Sequence, residues 1–245
     1  MLARLWWDLN PCSWKSRRRI KTYKDLFKEK KALVLCNGPS LNATDFDYLN
    51  RQNIFTFGLN KINLLFSRTS FRPSAIVAVN PYVIEQNAVF FNDTTIPLFL
   101  DSKGRKWIHF RSNVIFLHSA GARKQFARDC SISVNQGYSV TYVALQLAFH
   151  MGFSRVGIIG CDHSFSSKGP PNKAVLSGSN DPDNFDPNYF SGGDTWQLPD
   201  LLGSELHFQA AKDTYEKFGR KIFNCTDGGK LEIFERKPLS DFLEA

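Results

Sequence analysis

From residue 32 onward the chain alternates short, wholly apolar runs with stretches of helical periodicity, and that order leaves few folds open. Residues 32–36, 54–57 and 75–79 read as buried strands, each followed by a turn rich in Asn, Gly or Pro. Weaker strand patterns cover 97–100 and 113–117. Val156-Gly157-Ile158-Ile159-Gly160 has no polar alternation, as expected of a strand covered on both faces. Before it, Val140, Val143, Ala144, Leu147 and Met151 recur at helical spacing, which predicts a helix over 139–151. A last helix over 204–218 and a strand over 221–224 complete the pattern. Strand-then-helix order of this kind predicts an α/β domain with a single doubly wound, mostly parallel sheet. Residues 164–202 break the rhythm. They are long, polar and rich in Gly, Pro, Asn and Asp, and a segment of that length inside a compact domain reads as a lid.

Charge divides the chain unevenly. Residues 1–31 hold ten Lys or Arg against Asp8, Asp25 and Glu29, a net +7 out of +8 for the whole. The expected organisation is therefore a basic N-terminal arm over 1–31, carrying Trp6, Trp7 and Trp14, and an almost neutral domain over 32–245. Trp interleaved with basic residues suits an anionic membrane surface, and a solvated helix with basic ends is the competing reading. A nucleic-acid partner is not expected of so neutral a body. The opening apolar run is too short for an export signal, and no stretch approaches a spanning helix. A cytoplasmic protein, in peripheral contact with the inner face of the membrane through the arm, is the expectation. Five scattered cysteines without a Cys-x-x-Cys pair exclude a zinc ribbon and a dithiol redox motif.

In doubly wound sheets, ligands bind beyond the carboxyl ends of the strands. Those ends here carry Asn37-Gly38-Pro39-Ser40, Asn60, Asn80 and Gly160-Cys161-Asp162-His163. Amides both donate and accept, so they read sugar hydroxyls and base edges without adding charge. Gly38 admits a close approach, Pro39 stiffens the turn, and the N–H groups of Ser40 and Leu41 are positioned to face an anion. No Gly-Lys-Ser/Thr or Gly-x-Gly-x-x-Gly is present. Gly137 and Ser139 open the best helix, where N–H groups favour a phosphate. Asp162 and His163 are candidates for holding substrate or removing a proton, and His207, Tyr189, Tyr138, Asp200 and Glu205 lie in or near the long segment. Neither Asp-x-Asp string ends a strand, so no metal site is expected.

Taken together, Asn37-Gly38-Pro39-Ser40-Leu41, Asn60, Asn80-Pro81 with Glu85-Gln86, and Gly160-x-Asp162 resemble the bacterial sialyltransferases of glycosyltransferase family 42. Residues 140–148, 160–165, Tyr189-Phe190, Trp196 and 228–234 are similar to another group. That group is the bacterial relatives of archaeal 6-hydroxymethylpterin diphosphokinase found with polysaccharide and flagellin-glycosylation enzymes. The resemblance implies a Rossmann-like, GT-A-like variant of the doubly wound fold. It also implies nucleotide contacts from Asn37, Gly38, Ser40, Asn60, Asn80 and Gly160, and no cofactor beyond a CMP-sugar donor substrate. Two departures stand out: Leu202 occupies the place of the family's general-base His, and Ser164 that of the tyrosine after Gly-x-Asp. The expected activity is metal-independent, inverting transfer of a nonulosonic acid or Kdo-like sugar from CMP to a glycan or lipid-linked acceptor. His163 or His207 would be the base, with Tyr189 or Tyr138 near the leaving phosphate. A pterin-type diphosphokinase using ATP and Mg²⁺ and a non-catalytic glycan-binding module are the alternatives, and self-association into a homo-oligomer stays open.

Overall fold

The computed structural model describes residues 2–120 and 125–244. Eight parallel strands form one sheet: β1 (Lys31–Leu35), β2 (Phe55–Leu59), β3 (Ala75–Ala78), β4 (Leu98–Asp101), β5 (Val114–Leu117), β8 (Arg155–Ile159), β11 (Lys221–Asn224) and β12 (Glu235–Arg236). Their order across the sheet is β12-β11-β8-β1-β2-β3-β4-β5. The chain builds outward from β1 through β5, then returns to lay β8 on the other side of β1. This reversal is the topological switch point, and the loops after β1 and β8 diverge there to leave a crevice. Short strands β6 (Ser119–Ala120) and β7 (Val134–Asn135) pair separately, as do β9 (Ala174–Leu176) and β10 (Thr195–Gln197).

Alternation along the strands fills two cores. Ala32 and Val34 of β1 point into one, with α6 (Val140–Met151) and α7 (Leu201–Lys217) over it. Leu33 and Leu35 point into the other, beneath α3 (Phe46–Arg51), α4 (Pro81–Gln86), α5 (Ala88–Asp93) and α8 (Leu239–Glu244). Eleven of the twelve residues of α6 are buried. Its sequence is apolar nearly all round, as a helix packed between a sheet and another helix must be.

The N-terminal segment corrects the expected boundary at residue 31. It is not a free arm: it folds into α1 (Leu2–Asp8) and α2 (Pro11–Thr22), and it is built into the domain. Strand β5 is an edge strand, whose outward N–H and C=O groups would otherwise lie open. Helix α2 supplies their partners. Ser16 Oγ accepts from the Phe116 N–H at 3.1 Å, and the Arg19 guanidinium donates to the carbonyl of Val114 at 2.8 Å and to that of Arg111. Trp7 and Ile20 are buried in the two cores, and Phe27 stacks on Phe153 at 4.8 Å between ring centroids. The charge that marked this segment is partly consumed in packing.

Ser16→Ala removes the one side-chain acceptor of the Phe116 N–H, a buried bond. Urea unfolding is expected to show a loss of about 1–3 kcal/mol, the usual cost of leaving such a group unpaired. Deleting residues 1–24 should cost far more and leave little soluble, cooperatively folding protein.

Candidate functional site

A cavity of about 550 Å³ opens at the carboxyl edge, over the switch point between β1 and β8. Asn37, Gly38, Asn60, Asn80, Gly137, Ser139, Gly160, Asp162, His163 and Tyr189 all line it, as do Tyr138, Gln136, Asn184 and Trp196. Pro39, Ser40 and His207 are not among the lining residues. Four of the seven non-glycine residues with positive φ among those described also line it: Asn60, Tyr138, His163 and Asn172. Backbone held in that region persists only where the surroundings enforce it, and such residues cluster at functional sites.

The turn after β1 is locked to the end of β8. Asp162 accepts from Ser40 Oγ at 2.8 Å and from the Ser40 N–H at 3.3 Å, while the Gly38 N–H donates to the Gly160 carbonyl at 2.8 Å. Gly38 is needed for this closeness, because a Cβ there would stand 1.9 Å from Asp162 Oδ2 and 2.8 Å from the Gly160 oxygen. The structure thereby corrects one expectation. The N–H groups of Ser40 and Leu41 are spent, on Asp162 and on the Gly38 carbonyl, so this turn already holds a carboxylate where a phosphate was expected. Asp162, in turn, is an anchor.

The three strand-end amides divide in role. Asn80 caps α4 through the Tyr82 N–H at 2.9 Å and donates to Gln197 Oε1 at 3.2 Å. Asn37 Oδ1 and Asn60 Oδ1 are different: each is buried, at the cavity, with no partner. A buried acceptor without a donor is costly. Both are acceptors for which the described residues supply no donor.

Across the cavity, α6 begins. Ser139 caps it by accepting from the Thr141 N–H, and the backbone enters through consecutive left-handed residues, Gly137 (φ +56) and Tyr138 (φ +59). A Cβ on Gly137 would lie 2.3 Å from the Tyr142 ring, so glycine is required on both counts. The positive end of a twelve-residue helix thus faces the crevice.

The two histidines separate clearly. His163 lines the cavity, and its Nε2 lies 2.9 Å from Glu205 Oε1 on α7. With the carboxylate accepting the Nε2 proton, the lone pair belongs to Nδ1. A base oriented by a carboxylate is the arrangement general-base catalysis needs. His207 is turned inward. Its Nδ1 donates to the Gly203 carbonyl at 2.7 Å, and its ring packs edge-on against Tyr138 and Tyr142. His207 is packed between α6 and α7 and does not line the cavity; Glu205, two residues earlier, touches the cavity-lining His163.

Residues 164–202 fold over the cavity rather than away from it. Phe185 and Tyr189 are buried in the core, and the Phe185 N–H donates to the Asn37 carbonyl at 2.8 Å. Lys61, next to Asn60, donates to the Tyr189 carbonyl at 2.7 Å and pairs with Asp194 at 2.9 Å. That tie had no signal in the sequence beyond its position after a strand end. Trp196 stacks on Phe190, 5.4 Å between centroids and 18° from parallel, giving the cavity a flat aromatic wall. Burial pushes the Tyr189 hydroxyl's pKa well above its ordinary value, against smaller pulls from the Lys61 backbone N–H and the Asn60 side chain. Tyr189 stays a donor.

No Lys or Arg lines the cavity among the described residues. Its three carboxylates are already engaged: Asp162 with Ser40, Asp183 with the Ser166 N–H at 2.7 Å, and Asp200 with the Gly203 N–H at 2.7 Å as the cap of α7. Among the described residues there is also no group of three or more His, Cys, Asp or Glu placed to hold a metal ion.

The family model described as 6-hydroxymethylpterin diphosphokinase MptE-like matches residues 12–168, and the chain belongs to that family. No curated protein matches it. Among solved structures it is similar to the MAf glycosyltransferase from Magnetospirillum magneticum AMB-1, with a TM-score of 0.53 and 15% identity. The likeness covers 94% of this chain and 39% of that one, so this chain spans about two fifths of the larger protein's length. What is common to the two is the Rossmann-like α/β fold.

Two outcomes test this geometry. Gly38→Ala forces Asp162 and Gly160 away from the turn and is expected to cost about 1–3 kcal/mol in urea unfolding, as overpacking does. Lys61→Ala frees the Tyr189–Asp194 stretch, so trypsin should cut faster at the exposed Lys168 and Lys173. Unchanged cleavage kinetics would mean that Lys61 does not hold the lid.

Proposed function

We propose that this MptE-like family member is a glycosyltransferase that moves a sugar from a CMP-linked donor to the hydroxyl of a glycan or lipid-linked acceptor. One observation carries the reading: two buried, unpaired amide oxygens, on Asn37 and Asn60, at a cavity that no Lys or Arg lines among the described residues. Such a site offers a nucleoside many hydrogen bonds and a phosphate little charge. A single diester phosphate at the start of α6 suits it. The triphosphate of ATP, which a diphosphokinase would take with Mg²⁺, carries several charges and needs lysines, arginines or a carboxylate-held cation.

In the proposed reaction the bond between the anomeric carbon and the phosphate oxygen breaks, and its electron pair leaves with CMP. The acceptor oxygen attacks the opposite face, inverting the centre, and its proton passes to Nδ1 of His163. Glu205 holds that ring through Nε2 and stabilises the imidazolium that forms. Tyr189, kept protonated by burial, donates to the leaving phosphate, which lies at the positive end of α6. The sugar rests against the Trp196 wall under the lid. A nonulosonic acid or a Kdo-like sugar fits the reading, since both are carried on CMP.

Calorimetry tests the donor. CMP should bind without added metal, and Asn37→Ala and Asn60→Ala should each weaken it by about 1–3 kcal/mol, roughly 5-fold to 150-fold. Binding of ATP with Mg²⁺ and none of CMP would overturn the reading in favour of the diphosphokinase. With a CMP-sugar that is turned over, His163→Asn should abolish transfer while leaving CMP affinity unchanged, and His207→Asn should leave transfer largely intact. Loss of transfer in His207→Asn with a normal unfolding curve would reverse that assignment.

A further inference from the structure

The N-terminal helices carry a surface that packing against β5 does not use. Leu5, Trp6, Leu9 and Trp14 are 53%, 77%, 73% and 58% exposed, four large apolar side chains within ten residues. Isolated exposed apolar residues are ordinary; a cluster of this size marks an interaction site. The Trp14 indole N–H donates to the Asp8 carbonyl at 2.7 Å, which brings the outer face of α2 against the end of α1. Along α2, Ser13, Ser16 and Ile20 face inward, while Trp14, Arg18 and Lys21 are exposed and recur at four- and three-residue spacing, a single stripe.

The charges of this segment sort by the same geometry. Arg4 and Arg17 are paired with Asp8, and Arg19 is bound to the edge of β5. Arg18 and Lys21 make no ion pair among the described residues. The surface therefore presents two indoles and two leucines beside uncompensated positive charge. A second copy of the chain would set like charges against each other across an isologous contact. An anionic bilayer supplies both complements, with headgroup charge for Arg18 and Lys21 and an interfacial layer in which indoles reside.

We infer that α1 and α2 form a docking face for anionic membrane lipid. The orientation follows from α2 lying antiparallel to β5: Ser16 meets Phe116, whereas Arg19 reaches back to Val114 and Arg111. The start of α2, and α1 beyond it, thus sit at the carboxyl edge of the sheet, where Trp7 meets His118 at 6.3 Å between centroids. The cavity opens on that same edge of the sheet, over β1 and β8. The inference does not depend on which nucleotide the cavity takes.

The test uses the full chain without nucleotide. At low salt it should co-sediment with vesicles of phosphatidylcholine and phosphatidylglycerol but not with phosphatidylcholine alone, and added salt should release it. Trp6→Ser with Trp14→Ser, and separately Arg18→Glu with Lys21→Glu, should each reduce vesicle partitioning about tenfold or more. Arg18 and Lys21 make no ion pair among the described residues, and Trp14→Ser gives up only the exposed bond to the Asp8 carbonyl, so both variants should still unfold in a single thermal transition. A chain that stays in the supernatant with anionic vesicles, or binds neutral ones equally, overturns the inference. So does a concentration-dependent dimer that the Trp6 and Trp14 substitutions abolish, which would make the face a contact between copies.

Discussion

The bond between Asp162 and the Ser40 turn is the constraint from which the rest of the site follows. It joins the ends of β8 and β1, the neighbouring strands whose following loops run in opposite directions. Without it the two loops would be separate; with it they form one floor. Gly38 is small because the Asp162 carboxylate and the Gly160 carbonyl occupy the space a side chain would need. The turn's N–H groups are used up, while Asn37 Oδ1 and Asn60 Oδ1 stay unpartnered at the cavity and the positive end of α6 faces it from the opposite wall. A residue that looks catalytic by type and position proves structural. What it structures is the cavity.

Much of the architecture was legible in the sequence because the physics involved is local. Strands buried on both faces must be continuously apolar, so β1, β3 and β8 stand out. Helix α6 showed itself by periodicity and by Ser139 at its cap. Residues 164–202 stood out by length and composition, though not their ties, since a single Lys61 reaching a carbonyl at residue 189 leaves no pattern. The N-terminal segment was misread as an arm for a related reason. Its charge is a fact of composition, whereas the use of Arg19 and Ser16 to cover β5 is a fact of contacts about a hundred residues apart in sequence.

The candidate residues show the same division. Asn37, Asn60 and His163 were picked out by their position at strand ends, and the topology of the sheet brings all three to one cavity. Ser40 was misassigned because a free N–H and one already bound to Asp162 look the same in a sequence. His207 was misassigned because the choice of face on α7 depends on where that helix crosses α6. Two residues, Glu205 to His207, are enough to turn a side chain from the half-exposed face that meets His163 to the core. Asn60 and Asn80 also have conformational reasons to be Asn, one by its left-handed backbone and the other by capping α4. Asn37 is the amide with least conformational excuse.

The coverage of β5 by α2 bears on how the molecule is made. The helix leaves the ribosome first, yet its partner strand arrives roughly ninety residues later, and the sheet between them must propagate across four parallel pairings before the two can meet. Parallel pairings of this kind close slowly because each requires a long crossover. Until the docking is complete, the nascent chain carries an amphipathic helix with nothing beneath its inner face, and later an uncapped strand edge. Both are the surfaces on which partly folded chains associate. Yield during synthesis should therefore be governed by the time between these two events, and variation in the connecting segments should affect recovery of folded protein more than the stability of what is recovered.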